Sequence, residues 1–309
     1  MTPVRAEQAL PFAAFAQWRG ASRLWQGQTL LTEQHLVFAQ LCAAGVRVPM
    51  GTGVSLMALR HPVQAVLEAR TLAAASGHPF TAVFGPGGRA FQRGTLGAPY
   101  PSPLTATREY LAVVRALLTR GEAELSGTYF SYHGSLPRLP GPPVLLGVGV
   151  LRPGMARLAG EIADVALTWL TPPAYLRDVL LPALREAAAQ AGRSVPRVVS
   201  VVPTVLAGAH RDVTTLLADS SPHLEAPHYR DMLRRAGVPL GNTVREAVRA
   251  ARTAGALAAG EPEEIDETLA AYFRAGADEV VVNCAGVAAR LGPTAALQDL
   301  DALFSRNGW

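Results

Sequence analysis

Short apolar runs alternate along the chain with longer stretches whose apolar residues recur at helical spacing. The clearest run is residues 144–150, a set of β-branched and small side chains with no polar alternation, the pattern of a strand buried on both faces. It breaks at Leu151-Arg152-Pro153-Gly154, after which Met155, Leu158 and Ile162 fall on one helical face. The same reading predicts strands over residues 22–28, 46–54, 80–84, 165–170, 197–206 and 279–284. It predicts helices over residues 6–18, 32–44 with Thr32 as cap, 61–76 opened by His61-Pro62, 103–120, 174–191, 262–275 and 294–304. Residues 89–101 read as a loop and 127–143 as irregular, Pro- and Gly-rich cover. Residues 210–259 hold several helical segments, more than one crossover needs. Apolar strands alternating with helices argue for a parallel sheet. About seven of them favour an α/β TIM (β/α)8-type barrel, one domain over residues 1–309, over an open dinucleotide-binding sheet.

Composition narrows the chemistry. All 28 basic residues are arginines, so Schiff-base and pyridoxal-phosphate mechanisms, which need a lysine amine, are excluded. The arginines are scattered and the formal charge is only +4, which argues against a nucleic-acid partner. No apolar run approaches the ~18 residues of a membrane span, and no basic-then-apolar leader opens the chain. Cys42 and Cys284 show no pair spacing and sit among apolar residues, as expected of buried thiols in a reducing cytoplasm. No histidine spacing suggests a metal, and no hydrolase nucleophile elbow is present.

The strand–turn–helix at residues 144–162 is the best local candidate for a ligand site. A helix start leaves unpaired N–H groups where an anion can sit. Gly147 and Gly149 allow close backbone approach, and Arg152 adds a charged donor. An ordinary βα corner with no ligand reads equally well from these residues alone.

Several motifs in order carry a family resemblance. They are Met50-Gly51-Thr52-Gly53-Val54 with Leu59-Arg60-His61-Pro62; Ala75-Ser76-Gly77 before Phe80-Thr81-Ala82-Val83-Phe84-Gly85-Pro86-Gly87; Arg108-Glu109-Tyr110-Leu111; Ser126-Gly127-Thr128-Tyr129; and Leu158-Ala159-Gly160-Glu161-Ile162-Ala163-Asp164. The chain resembles the luciferase-like monooxygenase superfamily, in its branch that uses the deazaflavin coenzyme F420. The resemblance implies a coenzyme lying across the C-terminal ends of the strands, F420 or alternatively FMN. It implies a non-prolyl cis peptide at Gly53-Val54 supporting the ring, and flanking contacts from Gln28 and from Gly85, Gly87 and Gly88. The phosphate would lie at Gly149, Val150, Leu151, Arg152, Gly154 and Met155. Glu33 and His35 could stand over the ring as catalytic groups, or merely form a helix first turn. Trp169 could stack on ring or substrate, or pack in the core. His61 could reach ligand or cap its helix, and Tyr129, Tyr132 and His133 could form a lid.

The activity so implied is hydride transfer from F420H2 to an activated C=C or C=N bond of a secondary metabolite or peptide, dehydroalanine included. The association implied is a homodimer through residues 32–44 and 63–75. An FMN monooxygenase and a non-catalytic barrel that binds a coenzyme or a partner protein stay open. Three departures stand against the family pattern. Only residues 1–5 precede the first helix, so the first barrel strand is missing or replaced. The second strand ends in Gln26-Gly27-Gln28, without the acid or histidine of many relatives. The phosphate turn carries Arg152 and Gly154 where relatives more often have Gly and Arg.

Overall fold

The computed structural model describes Pro3 and residues 5–307. The strands are β1 (Leu24–Gln26), β2 (Met50–Leu56), β3 (Phe80–Gly85), β4 (Glu122–Ser126), β5 (Ser131–Ser135), β6 (Val144–Gly149), β7 (Val165–Trp169), β8 (Arg197–Leu206), β9 (Ala258–Gly260) and β10 (Glu279–Asn283). The helices up to the middle of the chain are α1 (Leu10–Trp18), α2 (Gln34–Ala43), α3 (Pro62–Ser76), α4 (Arg89–Leu96), α5 (Pro103–Thr119) and α6 (Pro153–Ile162). There follow α7 (Pro173–Tyr175), α8 (Leu181–Gln190), α9 (Val213–Ser220), α10 (Pro227–Arg235), α11 (Val244–Thr253), α12 (Pro262–Arg274), α13 (Ala285–Leu291) and α14 (Pro293–Asn307).

The main sheet runs β1-β2-β3-β6-β7-β8-β10, with β9 added to the end of β8, and every pair in it is parallel. It curls into a barrel that stays open between β1 and β10. Alternate strand residues serve two cores. Trp25, Val83, Val165, Leu167, Val199 and Val201 fill the interior. Phe80, Phe84, Leu146 and Val202 face outward into the layer shared with the helices. The barrel reading therefore holds, with one unsealed seam; among the described residues no strand precedes α1. Across the open seam Trp25 Nε1 donates to Glu279 Oε1 at 2.6 Å.

Three local expectations need correction. Residues 89–101 contain α4, which buries only Gln92 and so shows no apolar stripe. Gln92 fixes it by donating to the Gly87 carbonyl and accepting from Tyr100 N. Residues 127–143 contain β5, which pairs with β4 as an antiparallel hairpin. Its mostly exposed, polar residues hid the strand period. The Glu109 carboxylate accepts from the N–H groups of Thr128, Tyr129 and Phe130 at 2.7–3.0 Å, which explains the Arg-Glu-Tyr motif and pins the hairpin to α5. Tyr129, Tyr132 and His133 thus belong to a fixed hairpin rather than a free lid. Finally, α2 is capped by Glu33, not Thr32, whose hydroxyl donates to the Pro3 carbonyl instead. No helix among the described residues is long and apolar enough to cross a membrane. Both cysteines are buried and unbridged.

Candidate functional site

The C-terminal ends of the strands form the barrel mouth, where (β/α) barrels build their sites. The peptide between Gly53 and Val54 is cis, as the resemblance implied, and the register with β3 slips there. Val54 joins the interior cluster with Trp169 and Val281. Its side chain lies between two glycines. A Cβ built on Gly85 would stand 3.1 Å from Val54 Cγ2, and one on Gly149 would stand 3.0 Å from Val54 Cγ1. Those two glycines keep the mouth free of side chains on either side of Val54, leaving a flat floor of backbone and one isopropyl group.

Beside this floor, β6 ends and α6 begins with Arg152 as N-cap and no side-chain cap bond. Not every amide of the predicted anion turn is available. Val150 N donates to the Leu167 carbonyl at 2.7 Å, and Met155 N donates back to the Arg152 carbonyl at 3.1 Å. Pro153 has no N–H. The unpaired donors among the described residues are therefore Leu151, Arg152 and Gly154, a narrower set than the turn as first read. The Arg152 guanidinium stands half-exposed and pairs with Asp231 of α10 at 2.8 Å.

That contact shows what the sequence did not. The long segment between β8 and β9 folds over the mouth. His228 of α10 lies 3.3 Å from a Cβ built on Gly88, beside the predicted coenzyme loop. His223 stands 5.3 Å from the Trp169 ring and 5.1 Å from Tyr229, which is 4.8 Å from His228. The Trp169 Nε1–H is buried without an acceptor. His223 stands at the exposed rim of the cleft, where partial desolvation and the neighbouring His228 lower its pKa and favour the neutral imidazole at pH 7. Its only sequence signal was the excess length of residues 210–259.

Glu33 and His35 are held elsewhere. Glu33 caps α2, accepting from His35 N at 3.1 Å and lying 2.6 Å from His35 Nδ1. Arg60 joins Glu33 at 3.0 Å and Glu68 at 3.2 Å. His35 is buried against Phe80, on the outer face of the sheet. Burial raises the Glu33 carboxyl, but the hydrogen bonds from His35 and the charge of Arg60 outweigh it and bring the pKa to about 2. The helix-first-turn reading describes these residues; a place over the ring does not. Gln28 meets only the edge of this network, 3.4 Å from Arg60 Nη2. His61 caps α3, its Nδ1 accepting from Val63 N at 3.3 Å.

Trp169 and the glycines at positions 53, 85, 87, 88, 149 and 154 do converge on the mouth or its turns. Gly87 adopts a positive φ of 76°, which a side chain would resist, and Gly88 begins α4. Among the described residues no group of three or more His, Cys, Asp or Glu is placed to hold a metal ion.

Comparison with known proteins agrees with this geometry. Over 154 residues the chain is 30% identical to an F420-dependent glucose-6-phosphate dehydrogenase of Nakamurella multipartita, covering 48% of this chain and 45% of that protein. Over 196 residues it is 25% identical to a 5,10-methylenetetrahydromethanopterin reductase of Methanolobus tindarius, covering 62% and 58%. The matched part thus spans about half the length of these relatives. The solved structure of a coenzyme F420 dependent tetrahydromethanopterin reductase from Methanopyrus kandleri superposes with a TM-score of 0.75 at 19% identity, covering 97% of each chain, which shows a shared fold. The luciferase-like monooxygenase family model matches residues 1–279, and the chain belongs to that family.

Proposed function

We propose that this chain is an F420-dependent oxidoreductase working as an F420H2-dependent reductase. The observation that carries the reading is the pairing of two features on one barrel mouth. One is the side-chain-free floor at Gly85, Val54 and Gly149; the other is the turn with unpaired N–H groups at Leu151, Arg152 and Gly154. The first fits a flat tricyclic ring and the second fits its phosphate. The relative matched at 30% identity is named as F420-dependent, which supports that coenzyme over FMN.

F420 would supply the hydride. The protein's part is to support one face of the ring with Val54, to hold the phosphate, and to exclude water beneath α10. Trp169 and His223 border the other side of the mouth, where a substrate would lie. The reduced carbon or nitrogen must also receive a proton, and His223, neutral at pH 7, can relay one there from water, whereas Glu33 and His35 are engaged in the α2–α3 network. The substrate class that fits hydride delivery is an activated C=C or C=N bond in a secondary metabolite or peptide natural product, a dehydroalanine residue being one instance. We further propose a homodimer through α2, which exposes Leu36, next to the exposed Leu30 and Leu31.

Two titrations test the reading. Purified protein is titrated with F420 and, separately, with FMN, following coenzyme fluorescence. Saturable binding of F420 with no binding of FMN supports it. Tight FMN binding alone would turn the reading to an FMN monooxygenase, and binding of neither to a non-catalytic barrel. With F420H2 and a dehydroalanine peptide, a gain of two hydrogens by mass spectrometry would identify the substrate class.

A further inference from the structure

The open seam between β1 and β10 leads into a cavity of about 730 Å³, away from the coenzyme floor. It is shaped by the two strands. Arg23, Arg197 and Glu279 line one end, Val281 lies midway along β10, and Asn283 and Cys284 line the other. Phe12, Ala16 and Leu300 close it on the helix side. The cavity therefore runs the five-residue length of β10, ~16 Å at the usual strand rise. Among the described residues neither β1 nor β10 has a strand neighbour across it. A sheet edge left so is a template for another strand.

The polar groups inside point the same way. Arg23 keeps only 10% of its side chain exposed, yet its Nε and Nη1 have no hydrogen-bond partner. Glu279 Oε2 is 3.9 Å away, an ion pair without a hydrogen bond. Asn283 is 8% exposed, and its Nδ2 is likewise unpartnered, while its Oδ1 accepts from Ala285 N. Every unpartnered side-chain atom of these two residues is a donor. A ligand that fills the slot must be apolar along its length and bring acceptors to both ends. Arg23 and Arg197 against Asp278 and Glu279 leave one end nearly balanced in charge, so the acceptor needed there is a neutral carbonyl rather than a second carboxylate.

We propose that this seam is a binding site for an extended apolar segment of about five residues from a second polypeptide, inserted as a strand parallel to both β1 and β10. Its backbone pairs with both edges. Its carbonyls accept from Arg23 and Asn283. Its inward side chains are small, because Trp25 and Val281 already occupy the interior, and its outward ones are branched, to meet Phe12 and Leu300.

The test uses the full chain and a soluble capped peptide in which alternating valine and alanine, five residues in all, lie between charged ends. Amide hydrogen exchange is followed by mass spectrometry with and without it. The proposal expects exchange to slow at least tenfold over residues 24–26 and 279–283 together, with saturable dependence on peptide. The same peptide with proline at its centre, which removes a ladder donor, should give no protection. Arg23→Ala should weaken peptide binding by about tenfold while coenzyme titration stays unchanged. Protection of one edge alone, equal protection by the proline peptide, or no protection would overturn the proposal. So would protection of both edges without peptide that rises with protein concentration, the sign of two copies of this chain closing the seam on each other. None of these outcomes touches the coenzyme reading, which is read by coenzyme fluorescence at the other site.

Discussion

Gly149→Ala should disable the coenzyme floor through Val54. The added methyl would stand 3.0 Å from Val54 Cγ1, closer than an ordinary contact, so the Val54 side chain must give by a few tenths of an ångström. Overpacking of this kind typically costs about 1–3 kcal/mol. Replacing glycine in an unstrained strand returns about 0.4–1 kcal/mol through the unfolded chain. The net loss of stability is thus modest, about 0–2.5 kcal/mol, and the protein should stay folded. Binding should suffer more visibly, since relief of the clash pushes Val54 toward the mouth. A displacement worth about 1.4 kcal/mol weakens F420 tenfold. The decisive measurement is a double-mutant cycle on F420 affinity with Val54→Ala. Removing the Val54 methyls removes the clash, so the double variant should bind better than Gly149→Ala alone, with a coupling of about 0.5–3 kcal/mol. Additive effects, with no coupling beyond about 0.5 kcal/mol, would refute the idea that the two side chains compete for one space.

Arg152→Ala should weaken F420 about ten- to a hundredfold, because a charge-assisted donor is lost from the anion turn. Asp231→Asn should act in the opposite direction, strengthening F420 by up to about fivefold at low salt, since the carboxylate competes for the same guanidinium across a solvent-exposed pair; fluorescence titration at two salt concentrations checks both. Glu109→Gln should destabilise the fold by about 2 kcal/mol, read as a lower denaturant midpoint, because three backbone N–H groups lose a charged acceptor. Glu33, whose folded carboxyl is held at about 2 against an ordinary 4.5, stabilises the protein fully above pH 4.5 and loses that contribution as the pH falls toward 2. Thermal melts of Glu33→Gln should therefore show a shallower acid limb than wild type over that window, and parallel limbs would count against the cap network.

Where a residue's partner is its own segment or a buried apolar layer, the sequence spoke clearly. Residues 197–206 form β8 with those bounds, because seven of the ten are apolar and both faces are covered. The helix opened by His61-Pro62 is α3, since proline at its first position and a left-handed Gly77 at its end are local signals. The hairpin at β4 and β5 was hidden for the converse reason. Partners distant in sequence hold it: the Glu109 carboxylate, and the core layer on which Ala123, Leu125, Phe130 and Tyr132 pack. Glu33 and His35 read two ways because a residue following a strand can turn to the mouth or to the helix layer. Arg60 and Glu68, far off in sequence, decide the matter by pairing with them.

The mouth itself shows where legibility ends and why. Its floor is made of glycines and Val54, and glycine is readable because what it contributes is the lack of a side chain. Its walls come from Trp169 and from His223, His228 and Asp231, carried by a segment with no strand or heptad period to fix its position. Such a segment is free to differ between relatives that share the floor, because no strand register binds it. On the proposed function, the floor would hold the coenzyme and the walls the substrate. Exchanging residues 222–235 for the matching segment of a relative should change which substrate is reduced and leave F420 affinity within about the fivefold that the Arg152–Asp231 pair commands. Should the exchange abolish F420 binding outright, the walls would be part of the coenzyme site, and the division of labour argued here would fail.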